Sequence, residues 1–256
     1  MDFVLSGDML AILFFVALTA GFIDAMAGGG GLITIPALML MQLPPILALG
    51  TNKLQGCSGS FTATVAMIRN RQITFAEMRL PFLTAFVGAG IGTFAVQHID
   101  AKALDSLIPF ILVGIGLYFL LSPAAGQVDS KPRLGTGPYR FLVIPVIGFY
   151  DGFFGPGTGT FWAIALVGFA GLEMQGATAY TKVANFTSNL VSLAIFISAG
   201  TVLAPIGLAM GLAEAGGAWA GSRLVLKRGA GLVRSVLMIV SVGVVLYIVA
   251  KYWIWR

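Results

Sequence analysis

Residues 21–39 read GFIDAMAGGGGLITIPALM, an apolar run that is interrupted by four consecutive glycines, Gly28–Gly31, with one acid, Asp24, a turn before them. Each glycine inside a helix costs about 1 kcal/mol relative to alanine, so the pattern predicts a broken helix. In a bilayer, the backbone groups that such a break frees are tolerated only where they face protein or a water-filled cavity.

A second copy of this pattern lies in the C-terminal half of the chain, over residues 148–167. Two matched, glycine-interrupted apolar segments are the best sequence indication of a transporter's binding site. We therefore expect the two broken hairpins to meet near the midplane of a membrane and to form the site there. A shift of 127 residues superposes the copies, so that Gly21, Asp24, Gly28 and Gly30 fall on Gly148, Asp151, Gly155 and Gly157.

The composition is that of an integral membrane protein. Of 256 residues, 58% are hydrophobic and only 10% are charged, and the mean hydropathy is +0.95, whereas a soluble domain is about one quarter charged. The net charge of +5 is interpreted as a cytoplasmic-face surplus of lysine and arginine, not as a nucleic-acid surface. The single cysteine, Cys57, and the single histidine, His98, argue against a disulfide or a metal site, and no cofactor is expected.

About 20 apolar residues make one membrane span, and on that basis the chain divides into five segments before and five after a polar linker, 122–138. The N-terminal repeat is 1–121 and the C-terminal repeat is 139–256. Met1–Asp8 lacks the basic region of a cleavable signal peptide, so the first segment is expected to remain in the mature protein. The predicted segments are 9–26, 32–48, 52–68, 79–98, 103–121, 139–154, 159–172, 180–198, 204–222 and 233–254.

Loop charges orient the two halves in opposite directions. The arginines between segments three and four, the linker, and the basic loop between the last two segments are all expected in the cytoplasm. Segments 79–98 and 204–222 then run oppositely, which predicts an all-helical protein of two inverted repeats, as in secondary transporters. Whether the broken hairpins are re-entrant or spanning stays open. Pairs that match at a shift of 129 are Lys53/Lys182, Gly88/Gly217, Gly92/Gly221, Ser106/Ser235, Gly114/Gly243 and Tyr118/Tyr247.

The two glycine clusters are interpreted as anion-binding elements. A helix that restarts after glycine exposes N–H donors and carries about half a positive charge at its N-terminus, so it can bind an anion without a lysine. The alternative is close helix packing, which is our interpretation of Gly88, Gly90, Gly92, Gly216 and Gly217.

Two lysine-bearing helical faces are expected to line a shared central cavity. They carry Lys53, Gly56 and Ser60 in one half, and Lys182, Asn185 and Asn189 in the other. Alternatively, each lysine could reach out to the membrane interface. Thr51 or Asn52 is predicted to cap the third segment.

Three intramembrane acids are candidates for proton coupling or for a structural role, because a charge in hydrocarbon is costly. Asp24 and Asp151 could each take a proton or accept hydrogen bonds from the freed glycine N–H groups. Glu214, whose repeat counterpart is Ala85, either couples protons or pairs with Arg223. No nucleophile has a base at helical spacing, so an enzyme is not expected.

These motifs resemble the TauE/SafE family of sulfite and sulfonate exporters, also called the toluene-sulfonate uptake permease family. The likeness is carried by 21–31, 50–53 and 149–159, and the duplicated plan extends it over nearly the whole chain. It implies a carrier in the bacterial inner membrane that moves small sulfur-containing anions, coupled to the proton gradient. Thr181 stands at the repeat position of Asn52, which makes the half-sites unequal. The family motif positions are Asp24, Gly28–Gly31, Asn52, Lys53, Asp151, Gly155, Gly157, Gly159 and Lys182.

Together, the residues and the resemblance predict a secondary carrier that exports a sulfonate such as sulfoacetate or a taurine-derived product, or sulfite. Lys53→Ala or Lys182→Ala is expected to abolish substrate-driven current without unfolding the protein. The alternatives are a passive anion channel, an uptake permease, and a membrane enzyme using Cys57 and His98. The oligomeric state stays open, and a homodimer is compatible with the sequence. The predicted substrate-binding residues are Gly28, Gly29, Gly30, Gly31, Asn52, Lys53, Gln55, Gly155, Gly157, Gly159, Lys182, Asn185 and Asn189.

Overall fold

The computed structural model describes residues 6–72, 75–121 and 138–228, and the regular structure in these ranges is entirely helical. The first five helices are α1 (Gly7–Ala27), α2 (Gly30–Leu40), α3 (Pro45–Arg69), α4 (Phe75–Gln97) and α5 (Ala101–Leu121). A π-helical turn, Tyr139–Val143, leads into α6 (Ile144–Phe153), α7 (Thr158–Gly168), α8 (Met174–Ser198) and α9 (Ala204–Arg228). The all-helical class is confirmed, while the predicted segment 233–254 and nearly all of the linker lie outside the described ranges.

Helix length separates these elements into two kinds. Gly7–Met26 in α1 and Arg79–Gln97 in α4 are long and apolar enough to cross a bilayer. By contrast, α2 and α7 are apolar helices of 11 residues, which is about 16 Å, or half the hydrocarbon thickness. Neither short helix can span a membrane by itself.

Both glycine clusters break helices, as predicted. α1 ends at Gly28, whose φ is 75°, and α2 begins two residues later. Gly155 and Gly157, with φ of 93° and 76°, separate α6 from α7. Glycine is required at these positions because a Cβ disfavours the left-handed region.

The predicted segment 32–48 is wrong at its C-terminal end. α2 stops at Leu40, and α3 begins at Pro45 after a short turn. Proline suits a first helical position because its missing N–H would have no partner there. Thr51 and Asn52 therefore lie inside α3, and the predicted N-cap is also wrong. Lys182, similarly, lies two turns inside α8.

Helix contacts occur in pairs that follow the repeat. α9 packs against α1, and its counterpart α4 packs against α6, in each case through glycines on which a Cβ would collide with a facing backbone carbonyl. Small residues let helices approach closely in this way, which agrees with the packing role predicted for several of them. The paired contacts are Gly88 on Pro145, Gly92 on Phe149, Gly217 on Leu18 and Gly221 on Phe22.

The largest apolar cluster is built around α2, α3, α4, α5 and α8. Ile35, Leu49, Ile108 and Phe196 are among its buried members. α3 and α8 also pack directly against each other, and this contact brings the two predicted polar faces together in the interior.

Candidate functional site

The two glycine breaks touch each other in the interior of the protein. A Cβ on Gly28 would lie 2.5 Å from the Cα of Gly159, and the hydroxyl of Thr160 donates to the carbonyl of Gly28 at 3.2 Å. The helices α2 and α7 therefore begin side by side, one from each half of the chain.

A small, partly open polar cavity lies at this contact. All three candidate acids line it, whereas Gly29, Gln55 and Lys182 do not. Thr158, which we did not predict, also lines the cavity. It stands at the repeat position of Gly31, so superposing the two copies with the shift of 127 would have identified it. The predicted substrate-binding residues that line the cavity are Gly28, Gly30, Gly31, Asn52, Lys53, Gly155, Gly157, Gly159, Asn185 and Asn189.

Lys53 forms a buried ion pair with an aspartate of the other half. Its Nζ lies 3.0 Å from Oδ1 of Asp151, and both side chains are 2% exposed. The same ammonium donates to the backbone carbonyl of Asp151 at 2.5 Å and to Oδ1 of Asn189 at 3.2 Å. An ammonium has three donors, so Lys53 supplies positive charge to the cavity but no free N–H.

Lys182 forms the matching pair with Asp24. Its Nζ donates to the backbone carbonyl of Asp24 and lies 4.0 Å from Oδ2 of the carboxylate. Oδ1 of the same carboxylate accepts from the N–H of Gly30 at 3.1 Å, which is the structural role considered for this acid. Both lysines thus bond across the repeats, and the alternative that they reach the interface is wrong.

The two half-sites differ next to the lysines. The amide nitrogen of Asn52 donates to Oγ1 of Thr34 at 2.6 Å, and Thr34 in turn donates to the carbonyl of Gly30 at 3.1 Å. At the corresponding position, the buried hydroxyl of Thr181 has no partner within the described ranges. The predicted inequality of the half-sites therefore has a structural basis, because the Asn52–Thr34 hydrogen bond has no counterpart at Thr181 within the described ranges.

Several polar groups at the cavity are left for a ligand. The N–H groups of Gly31 and Gly159, in the first turns of α2 and α7, have no acceptor among the described residues, as expected for the start of a helix. The amide of Asn185 lines the cavity and forms no hydrogen bond with any described residue. Donors from both halves thus converge on one space.

Glu214 is the acid that the lysines leave unpaired. It is 3% exposed, and the buried side chain of Gln55 is its polar neighbour from α3. The predicted alternative partner, Arg223, instead lies over the ring of Trp219 at 3.7 Å, so that alternative is wrong. We did not predict how the interior accommodates this side chain. Gly21 and Gly59 leave the space that it fills.

The two residues considered for catalysis lie apart. Cys57 is half-buried within α3, whereas His98 is exposed just after α4 and its ring contacts Phe94. No group of three possible metal ligands occurs in the described part of the chain.

Several bacterial proteins whose names describe membrane transporters are similar to this chain. Residues 13–248 match the family model "Sulfite exporter TauE/SafE". A "Probable membrane transporter protein" of Haemophilus influenzae is 44% identical over 234 residues, 91% of this chain and 92% of the relative. The "Probable membrane transporter protein YfcA" of Escherichia coli K12 is 44% identical over 239 residues, 93% and 89% of the two chains.

A further relative, "Probable membrane transporter protein ORF9" of a Sinorhizobium species, is 42% identical over 246 residues, 96% of this chain and 94% of the relative. No solved structure matches the chain significantly. The matched range, 13–248, therefore extends over both halves of the chain.

Proposed function

The chain belongs to the TauE/SafE sulfite exporter family and is a membrane transporter, and from that premise we propose that it exports small sulfur-containing anions as a proton-coupled secondary carrier. The anions are sulfonates, such as sulfoacetate and taurine-derived products, or sulfite. The observation that carries the proposal is the convergence of unpaired N–H groups from α2 and α7 on one cavity.

The cavity suits an oxyanion because its donors are fixed. Helix N-termini attract anions through their free N–H groups and the helix dipole, and a sulfonate presents three acceptor oxygens to such donors. Gly31 and Gly159 supply the N–H groups, and Asn185 adds a side-chain amide that forms no hydrogen bond with any described residue. Lys53 contributes charge while it stays paired with Asp151.

Alternating access is supported by the paired contacts between the halves. Helix packing at Gly88 and Gly92 is matched by packing at Gly217 and Gly221, and the two lysine–aspartate pairs cross between the repeats. Such matched contacts favour two inverted repeats that rock against each other around a fixed site. The protein is then a multi-pass protein of the bacterial inner membrane.

Counterflow in proteoliposomes tests this function. Vesicles loaded with unlabelled anion are expected to accumulate the same labelled anion, because a carrier exchanges across the membrane. The panel comprises sulfite, sulfate, thiosulfate, taurine, isethionate and sulfoacetate. With the membrane potential clamped by potassium and valinomycin, a passive channel gives no such overshoot, and an absence of exchange with every compound would refute the proposal.

Asn185→Asp is expected to lower the affinity for a monovalent sulfonate about 100-fold at pH 7. A carboxylate about 6 Å from the anion costs roughly 3 kcal/mol at an effective dielectric constant near 20, and 1.4 kcal/mol is tenfold in affinity. The half-saturation concentration for exchange measures the effect.

The matched control for this change is Asn70→Asp, which places the same charge on an exposed residue at the end of α3. It is expected to leave exchange unchanged. Equal effects of the two substitutions would show that Asn185 does not face the anion.

A further inference from the structure

Glu214 differs from the other two acids of the cavity because neither lysine pairs with it. It projects from α9 into the space left by Gly21 on α1 and Gly59 on α3, and it lines the cavity. Oε2 of its carboxyl is buried and has no hydrogen-bond partner among the described residues. A buried carboxylate without a partner is costly, and a proton on that oxygen removes the cost.

The groups around Glu214 do not neutralise it. From α3, the uncharged side chains of Gln55, which is buried, and Cys57, which is half-buried, are its neighbours. From α1, Asp24 faces it and repels its negative charge. In the described part of the chain, no lysine, arginine or histidine nitrogen lies within 4.0 Å of this carboxyl.

A charge count then connects the proton to the anion. The cavity and its two ion pairs contain two lysines and two aspartates, which cancel. Ionised Glu214 adds one uncompensated negative charge, so an entering anion is repelled, whereas protonated Glu214 leaves a neutral site with free N–H donors. Each ligand therefore strengthens the binding of the other, and this coupling is reciprocal.

We propose that Glu214 binds the transported proton and that proton and anion cross the membrane together, one proton for each monovalent anion. This inference rests on the proposed function and specifies its coupling. Antiport would require the proton to weaken anion binding, which is the opposite sign. Export is then driven by the gradient of the anion itself, and each anion carries a proton outward.

The repeat-related position in the other half of the chain is not a second proton site of this kind. At the repeat position of Glu214 stands Ala85, which packs on Gly148 as Glu214 packs on Gly21. Ser188 takes the place of Gly59. The unequal halves explain why a protein with two matched ion pairs moves one proton rather than two.

Luminal pH in proteoliposomes gives the sign of the coupling. The probe is isethionate, a strong acid that stays a monoanion and cannot itself carry a proton. With the membrane potential clamped by potassium and valinomycin, an inward isethionate gradient is expected to acidify the lumen, as reported by trapped pyranine. Alkalinisation of the lumen, or net uptake of isethionate with no change in luminal pH, would overturn the inference and leave the proposed function standing.

Substitution of Glu214 tests the residue. Glu214→Gln is expected to lose the luminal acidification and to reduce isethionate accumulation driven by an acidic exterior at least about tenfold. Its exchange rate is expected to stop rising as pH falls. Glu214→Ala, which copies Ala85, is expected to show the same loss and replaces Glu214→Gln if that variant does not fold.

Glu173→Gln is the matched control, because Glu173 is exposed just before α8. It is expected to acidify the lumen as the wild type does. Acidification that persists in both Glu214 variants would overturn the assignment to this residue. A wild-type protein that exchanges none of the six anions would contradict the proposed function together with the inference.

Discussion

Gly28→Ala is expected to reduce sulfonate exchange at least about tenfold and to destabilise the protein by about 2 to 6 kcal/mol. The residue has φ of 75°, and an added Cβ would lie 2.5 Å from the Cα of Gly159. Left-handed strain and overpacking each cost about 1 to 3 kcal/mol. Because the neighbour is backbone, the two hairpins must separate to make room.

Thermal unfolding in detergent and counterflow in proteoliposomes measure the two effects. Gly114→Ala is the matched control, since a Cβ on that residue of α5 meets nothing within 4 Å, and it is expected to behave as the wild type does. A stable and active Gly28→Ala protein would show that the close contact between the hairpins is not needed for transport.

Lys53→Ala is expected to destabilise the protein by about 3 to 5 kcal/mol, because it leaves Asp151 buried without its cation. The expectation that this substitution stops transport in an otherwise intact protein therefore needs revision. Loss of current in the single variant would report unfolding as well as loss of the site.

The double variant Lys53→Met with Asp151→Asn separates the two effects. Removing both charges leaves no unpaired ion, so most of the stability is expected to return. The net charge of the site is unchanged, but the ammonium of Lys53 no longer lines the cavity, so transport is expected to stay at background.

Lys227→Ala, at an exposed position near the end of α9, is the control for losing one positive charge. It is expected to change neither the unfolding temperature nor transport. Equal stability of Lys53→Ala and the wild type would contradict the buried pair.

The helical class and the glycine breaks could be predicted because their causes are local. Apolar composition requires a bilayer, and glycine in series disfavours a helix wherever the chain places it. The repeat was visible because matching residues recur at nearly one spacing. The end of α2 was harder to predict, because the short turn before Pro45 lies within an uninterrupted apolar run.

The partners of the charged residues could not be predicted. Lys53 and Asp151 are 98 residues apart in sequence, and nothing near either residue indicates that they meet. The lysines were therefore expected to be free to hold an anion, whereas each is bonded across to the opposite repeat. The space that holds Glu214 could not be predicted either, because it forms only where α9 crosses Gly21 and Gly59.

Amino-acid order alone thus established a helical membrane protein with two glycine-broken elements, since hydropathy and backbone freedom act over a few residues; the anion ligand is a prediction. Only the packed molecule decided which charges cancel and which acid is left over. Ion pairs and cavities depend on distances between helices that are remote in the chain, and Coulomb energies change steeply over those few ångströms.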